Sequence, residues 1–254
     1  MNPLFSIITV TYNAESTLRP TLESVGEQTC RLFEYIVMDG NSTDKTVELA
    51  RNSGIPQIKI VSEPDNGLYD AMNKAMAIAT GDYLIFLNAG DSFAAASTLE
   101  TLSNAVMDND YPGIVYGQTR IVNSNRQYIA DRHLKAPEQL TFNSFANGMV
   151  VCHQAFVALR KLAPAYDTSF RYSADYDWCI RILQRSRRNH FIPETIINYL
   201  GEGLTTANRR KSLIERFRIM CRYYGVWHTI INHLRFIPRF IKRSRLEKNL
   251  ELTN

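Results

Sequence analysis

The sequence predicts an α/β fold, a mostly parallel sheet flanked by helices, with a basic helical extension at the carboxyl end. Three observations carry this. The first third of the chain alternates apolar, β-rich runs with stretches of helical periodicity. Those runs are apolar throughout, as suits strands covered on both faces. The 254 residues, 45% hydrophobic and 21% charged, are enough for a sizeable core and exclude a disordered, collagen-like or disulfide-scaffold chain.

The elements follow in order. Phe5–Val10 is the first strand, and Leu18, Leu22 and Val25 then share a helix face, with Pro20 placed in the first turn. Tyr35–Met38 is the second strand; Asp39-Gly40-Asn41-Ser42 turns the chain and caps a helix through Ala50. Ile58–Val61 is the third strand, and Leu68, Met72, Ala75, Met76 and Ala79 form a helical stripe that Gly81 ends. Tyr83–Leu87 is the fourth strand, and Ser97-x-x-Glu100 reads as a capping box before Leu102 and Val106. Beyond it, Ile114–Tyr116, Thr119–Val122 and Gln127–Ala130 read as short strands. A helix over Ala174–Arg185 and a strand near Thr195–Tyr199 follow. Residues 1–205 form the main domain, divided near residue 110, and 206–254 the extension. There Leu213, Phe217, Met220 and Tyr224 keep helical spacing, and Val226–Ile241 is a second amphipathic stretch broken near Pro238.

Charge separates the two parts. From Thr206 onward there are 12 Lys and Arg against 3 Asp and Glu; the preceding chain carries 17 against 22. Such a tail either meets an anionic surface or is the solvated side of a packed helix. Residues 226–245 interleave Leu234, Phe236, Ile237, Phe240 and Ile241 with Arg235, Arg239, Lys242, Arg243 and Arg245, a composition suited to an anionic membrane surface. No recognised nucleic-acid-binding motif accompanies it. No secretory signal or run of 18 apolar residues is present, so the expected location is the cytoplasm. The cysteines Cys30, Cys152, Cys179 and Cys221 form no C-x-x-C pair and are expected to be reduced.

Open parallel sheets bind ligands outside the carboxyl ends of their strands. The first strand ends at Thr11-Tyr12-Asn13, the second at Asp39, the third at Glu63-Pro64-Asp65 and the fourth at Asn88 and Asp91, which gathers carboxylates and amides on one edge. Singly, each is an ordinary turn residue; together they suggest a site. Such an edge holds phosphates through a divalent cation, and its hard oxygens suit Mg²⁺ or Mn²⁺. No glycine-rich phosphate loop is present, so the pattern suggests a nucleotide diphosphate held through metal.

On the helix from Ala174, Asp175 shares a face with Trp178, Cys179 and Ile182, where desolvation makes a carboxylate a stronger base. The alternative for Asp175 is a helix-start carboxylate facing the amide dipole. Asp177 falls on the opposite face as a solvated partner of Arg181. His153, in CHQAF, is a structural histidine or an acceptor-side group.

In order, SIITVTYN, VMDGNSTD, SEPDNGLYDAMNKA, TGDYLIFLNAGD and ADYDW resemble family-two glycosyltransferases of the Rossmann-like GT-A fold. Bacterial enzymes building capsular or exopolysaccharide (colanic-acid-type) units are the nearest likeness. The resemblance covers roughly residues 4 to 200 and implies inverting transfer from a nucleotide-sugar donor, UDP-linked by family weighting or GDP-linked, to a lipid-linked glycan acceptor. It places Thr11, Tyr12 and Asp39 around the base and ribose, Asn73 with the surrounding Gly67–Lys74 stretch on the diphosphate side, Asp91 on the metal, and Asp175 as catalytic base; Asn13, Asp65 and Asn88, from the strand ends, join them as donor-binding candidates. The chain departs from the family pattern at Gly40, where a second acid is common, at Asn88-Ala89-Gly90-Asp91, which has one carboxylate, and at Ala174 in place of a Glu. The processive Q-x-x-R-W motif is absent, which favours single sugar addition. Two other functions compete. A sugar nucleotidyltransferase needs a glycine- and arginine-rich first loop that Thr11–Glu15 lacks; a catalytically degenerate scaffold in a polysaccharide-assembly complex fits the single-carboxylate region.

Overall fold

The computed structural model describes residues 3–201 and 209–234. Its sheet runs in the order β3-β2-β1-β4-β8-β6-β9-β5, with β7 on β6. The strands are β1 (Phe5–Thr11), β2 (Phe33–Asp39), β3 (Ile58–Ser62), β4 (Tyr83–Phe86), β5 (Ser92–Phe93), β6 (Ile114–Val122), β7 (Tyr128–Asp131), β8 (Phe156–Leu159) and β9 (Asn189–Leu200). The helices are α1 (Glu15–Gly26), α2 (Thr46–Arg51), α3 (Leu68–Ile78), α4 (Thr98–Asp108), α5 (Ala174–Arg185) and α6 (Arg209–Tyr224).

The β1–β4 half is parallel, as expected from its β-α alternation. Beyond β4 the pairing turns antiparallel through β8, and β6 and β9 then pair parallel. The strands β5 and β8 have no counterpart among the sequence-based expectations, and the two short strands expected over 114–122 are one strand with a register irregularity near Gln118. Strand order reverses between β1 and β4, so the crevice at their carboxyl ends is the switch point where such sheets bind ligands. Phe5, Ile7, Ile8, Tyr35, Ile36, Val37, Leu84 and Ile85 are fully buried there, which explains their unbroken apolar runs.

Three local expectations are corrected. Pro20 lies inside α1 rather than in its first turn. The helix starts earlier because Thr46 Oγ1 and the Asp44 carboxylate accept the N–H groups of Ala14 and Glu15, at 2.8 and 3.0 Å. Ser97 makes no side-chain cap; Glu100 accepts the Thr29 hydroxyl instead, and Leu99 N–H is taken by Gln28 Oε1 at 2.9 Å. On α6, Leu213 is exposed while Ser212, Ile219 and Met220 are buried, so the packed face is rotated from the predicted stripe. A further helical stretch covers 226–234. The 205/206 boundary and the basic apolar segment beyond 234 lie outside the described residues.

Candidate functional site

At the end of β2, Asp39 is fully buried and is the hub of a polar knot. It accepts Thr11 Oγ1 at 2.9 Å, the Ser42 hydroxyl and N–H at 2.5 and 2.9 Å, and Ser62 Oγ at 2.7 Å. Burial opposes its ionisation, but the donors from Ser42, Ser62 and Thr11 outweigh it and hold the carboxyl below its usual range. The Asn13 side chain accepts Thr43 N–H at 2.9 Å, and its own N–H donates to Ser42 Oγ. Thr11, Asn13 and Asp39 therefore fasten the two loops together. The groups they leave facing outward are Tyr12, 68% exposed, and the half-buried Asp65.

The space beside Gly40 is taken by Asp65. A Cβ on Gly40 would overlap Oδ2 of Asp65 and touch the Tyr12 ring, so a carboxylate arriving from the β3 loop fills that space. Gly67 N–H donates to Asp65 Oδ1 at 2.7 Å and fixes its direction. Asn73 uses both ends of its amide on the backbone of Tyr166, at 3.1 and 2.7 Å, and so clamps α3 to the segment before α5.

The Asn88–Asp91 turn leaves β4 at the switch point. Asp91 is only 3% exposed; its Oδ1 accepts Leu200 N–H at 2.9 Å and its Oδ2 accepts Gln154 Nε2 at 2.7 Å. Burial raises its carboxyl to about 7 against the pull of those donors and of Arg126. A divalent cation requires hard oxygens turned toward it. Both Asp91 oxygens are engaged with protein donors, and among the described residues no group of three or more His, Cys, Asp or Glu side chains gathers as a metal cluster. The expected metal role of Asp91 does not fit this arrangement: the carboxylate ties the turn to β9 and to the His153–Ala155 segment. Asn88 Oδ1, by contrast, is buried without a hydrogen-bond partner, a neutral acceptor suited to a hydroxyl or N–H donor.

Asp175 sits half-buried in the first turn of α5, where it accepts the Tyr69 hydroxyl at 3.1 Å and Tyr176 N–H at 2.9 Å. Burial, and next the nearby Asp175 charge, push the Tyr69 phenol well above its usual range, so it donates and stays neutral. Behind the pair lies an aromatic stack: Tyr166 is parallel to Trp178 with centroids 5.0 Å apart, and Tyr69 is 5.5 Å from Tyr166. His153 belongs to this cluster. Its Nε2 lies 2.7 Å from the Tyr166 hydroxyl, and burial pushes the imidazole down to about 4 against the Asp175 charge. That geometry supports the structural alternative for His153.

Asp177 is not solvated. It is 1% exposed and paired with Arg181 at 2.6 Å; α6 covers it and donates the Tyr223 hydroxyl at 2.8 Å. Helical phase placed it opposite Asp175, but α6, whose docking periodicity does not reveal, buries that face too. Tyr69, Gln154, Tyr166 and Arg126 were also missed. Tyr69 stands in the Gly67–Lys74 stretch and Gln154 beside His153, whereas nothing local marks Tyr166 or Arg126.

Fold and strand-end site together define a GT-A glycosyltransferase. The chain belongs to glycosyl transferase family 2, whose profile matches residues 6–163. It is 34% identical to a PGL/p-HBAD biosynthesis glycosyltransferase of Mycobacterium bovis over 98% of this chain and 96% of that protein. It is 29% identical to the Escherichia coli enzyme WfgD, named UDP-Glc:alpha-D-GlcNAc-diphosphoundecaprenol beta-1,3-glucosyltransferase, over 71% and 70% of the two chains. Among solved structures, Staphylococcus aureus TarS 1-349 in complex with UDP-GlcNAc superposes with a TM-score of 0.67 at 18% identity, covering 95% of this chain and 73% of that one. The mannosyltransferase PcManGT of Pyrobaculum calidifontis, in complex with GDP-Man and Mn²⁺, gives 0.63 at 17% identity, covering 99% and 81%.

Proposed function

We propose that this chain moves one sugar from a nucleoside diphosphate sugar to a hydroxyl of a lipid-linked glycan, with inversion, in the assembly of a surface polysaccharide or glycolipid. The observation that carries this reading is the Asp175 carboxylate, half-buried at the start of α5 and oriented by Tyr69 from α3, between the nucleotide-side elements and the segment before α5. Asp175 removes the acceptor proton as the hydroxyl attacks the anomeric carbon from the side opposite the diphosphate. Tyr12 and Asp65 flank the base, and the unpartnered Asn88 Oδ1 accepts a donor hydroxyl. A uridine donor is favoured, since WfgD is named for UDP-Glc; a guanosine donor is the rival.

A lipid-linked acceptor has the same support, together with the apolar surface beyond α6. Val226, Trp227, Ile231 and Leu234 are exposed, Trp227 to 79%, and lead into the basic 235–245 segment. An interfacial attachment through 226–245 to the cytoplasmic face of a membrane accounts for that surface. Among the described residues no helix is long and apolar enough to cross a membrane.

The test is transfer from UDP-Glc, UDP-GlcNAc and GDP-Man by purified wild type and Asp175→Asn. The variant loses about 10²–10⁴-fold in turnover and keeps its donor affinity, the range for a general base. Equal turnover would remove Asp175 from this role. A wild-type protein that neither transfers nor hydrolyses any nucleotide sugar would favour the scaffold reading.

A further inference from the structure

The turn after β4 has an unusual charge arrangement. Residue 90 has no room for an acid: a Cβ on Gly90 would lie 2.7 Å from Leu200 Cδ2, and its φ of +100° is strained for any other residue. Asp91 is buried, with Oδ1 held by Leu200 N–H and Oδ2 by Gln154. A cation, however, is already present. Arg126, from the β6–β7 turn, donates Nη1 to the Gly90 carbonyl at 2.5 Å and Nη2 to Ser92 Oγ, and its charge acts on Asp91. The turn thus combines one engaged carboxylate, one neutral amide oxygen at Asn88 and one half-buried guanidinium. A divalent ion there would break the Asp91 contacts and stand against Arg126; a diphosphate would meet a positive group.

We propose that this turn receives the donor diphosphate without a divalent cation, Arg126 supplying the local positive charge. The inference rests on the nucleotide-sugar reading above and deepens it. A guanidinium is well matched to a diphosphate, because it is always charged and its fork geometry fits phosphate oxygens. Fixed by Gly90 and Ser92, it would need no reorganisation as charge develops on the leaving group.

The test is calorimetric titration of the full-length protein with UDP and with GDP, in EDTA and in saturating Mn²⁺. The affinity of whichever nucleotide binds should differ between the two media by less than about threefold, and Arg126→Gln should weaken it by at least about tenfold. Arg126→Lys, which keeps the charge, should retain more affinity than Arg126→Gln, and this comparison guards against a collapsed turn. Nucleotide binding that requires Mn²⁺, or an Arg126→Gln protein that binds like wild type, overturns the inference and leaves the donor reading standing. Failure of both nucleotides to bind in either medium overturns the two together.

Discussion

Asp65 occupies the space that a side chain on residue 40 would need. A Cβ built on Gly40 overlaps the Asp65 carboxylate, whose other oxygen is held by Gly67 N–H, and the Tyr12 ring closes the same corner. A carboxylate from the loop after β3 thus stands beside the residue that follows Asp39. A one-carbon substitution therefore tests it. Gly40→Ala should push Asp65 aside and weaken nucleotide binding by about tenfold, the scale of one charge-assisted hydrogen bond, while leaving the melting temperature close to wild type. Titration with UDP and GDP reads this directly; wild-type affinity in Gly40→Ala would show that Asp65 does not touch the nucleotide.

Tyr69 donates its hydroxyl to the proposed base, so its removal should act on turnover. Tyr69→Phe should lower kcat by about 10-fold, within the range for a hydrogen bond to a charged group, with the donor KM unchanged. A parallel loss of donor affinity would move Tyr69 from positioning the base to binding the donor.

His153 links stability to acid. In the folded state its imidazole is held down at about 4, against about 6.5 in an unfolded chain, so between those values the unfolded state binds the extra proton. The His153 contribution is therefore fully present above pH 6.5 and is lost as pH drops toward 4, by up to about 3 kcal/mol for a shift of this size, while Asp91, raised to about 7, acts in the opposite direction over much of the same window. Denaturant unfolding across that window should show the stability of wild type relative to His153→Gln falling as the pH drops from 6.5 toward 4. Parallel slopes would show that His153 does not carry the linkage.

The Asp177–Arg181 pair, at 2.6 Å, holds a carboxylate that is 1% exposed. Arg181→Met leaves a buried carboxylate with only the Tyr223 hydroxyl and a longer Arg222 contact at 3.7 Å, and should cost about 3 kcal/mol. Urea unfolding measures it, and a loss below about 0.5 kcal/mol would place the pair with ordinary surface bridges.

The parallel half of the fold was legible because each strand is an apolar run and each ends in a polar turn. Its antiparallel half was not: β5 has only two residues, and β8 follows a 3₁₀ segment with no periodic signal. Site legibility divides along similar lines. Helix phase put Asp175 on the side of Trp178, Cys179 and Ile182, which are buried, but it left Asp177 on a solvated face that α6 in fact covers. Asp91 could not be placed, because its partners Gln154 and Leu200 lie 63 and 109 residues away along the chain, and such distant donors decide whether a carboxylate is open or engaged. Asn73 and Asp39 were read as ligand contacts for the same reason: their donors and acceptors come from neighbouring loops that composition does not reveal.

Arg222 and Tyr223 grip Asp177 two positions beyond Asp175, and Arg222 also reaches Asp167 at 3.4 Å. The carboxy-terminal arm is thereby clasped to the helix bearing the proposed base. Arm and helix are therefore coupled: a rotation of the arm would turn the Asp175 carboxylate with it. Shortening the protein ahead of residue 222 would uncover a carboxylate that the arm keeps dry.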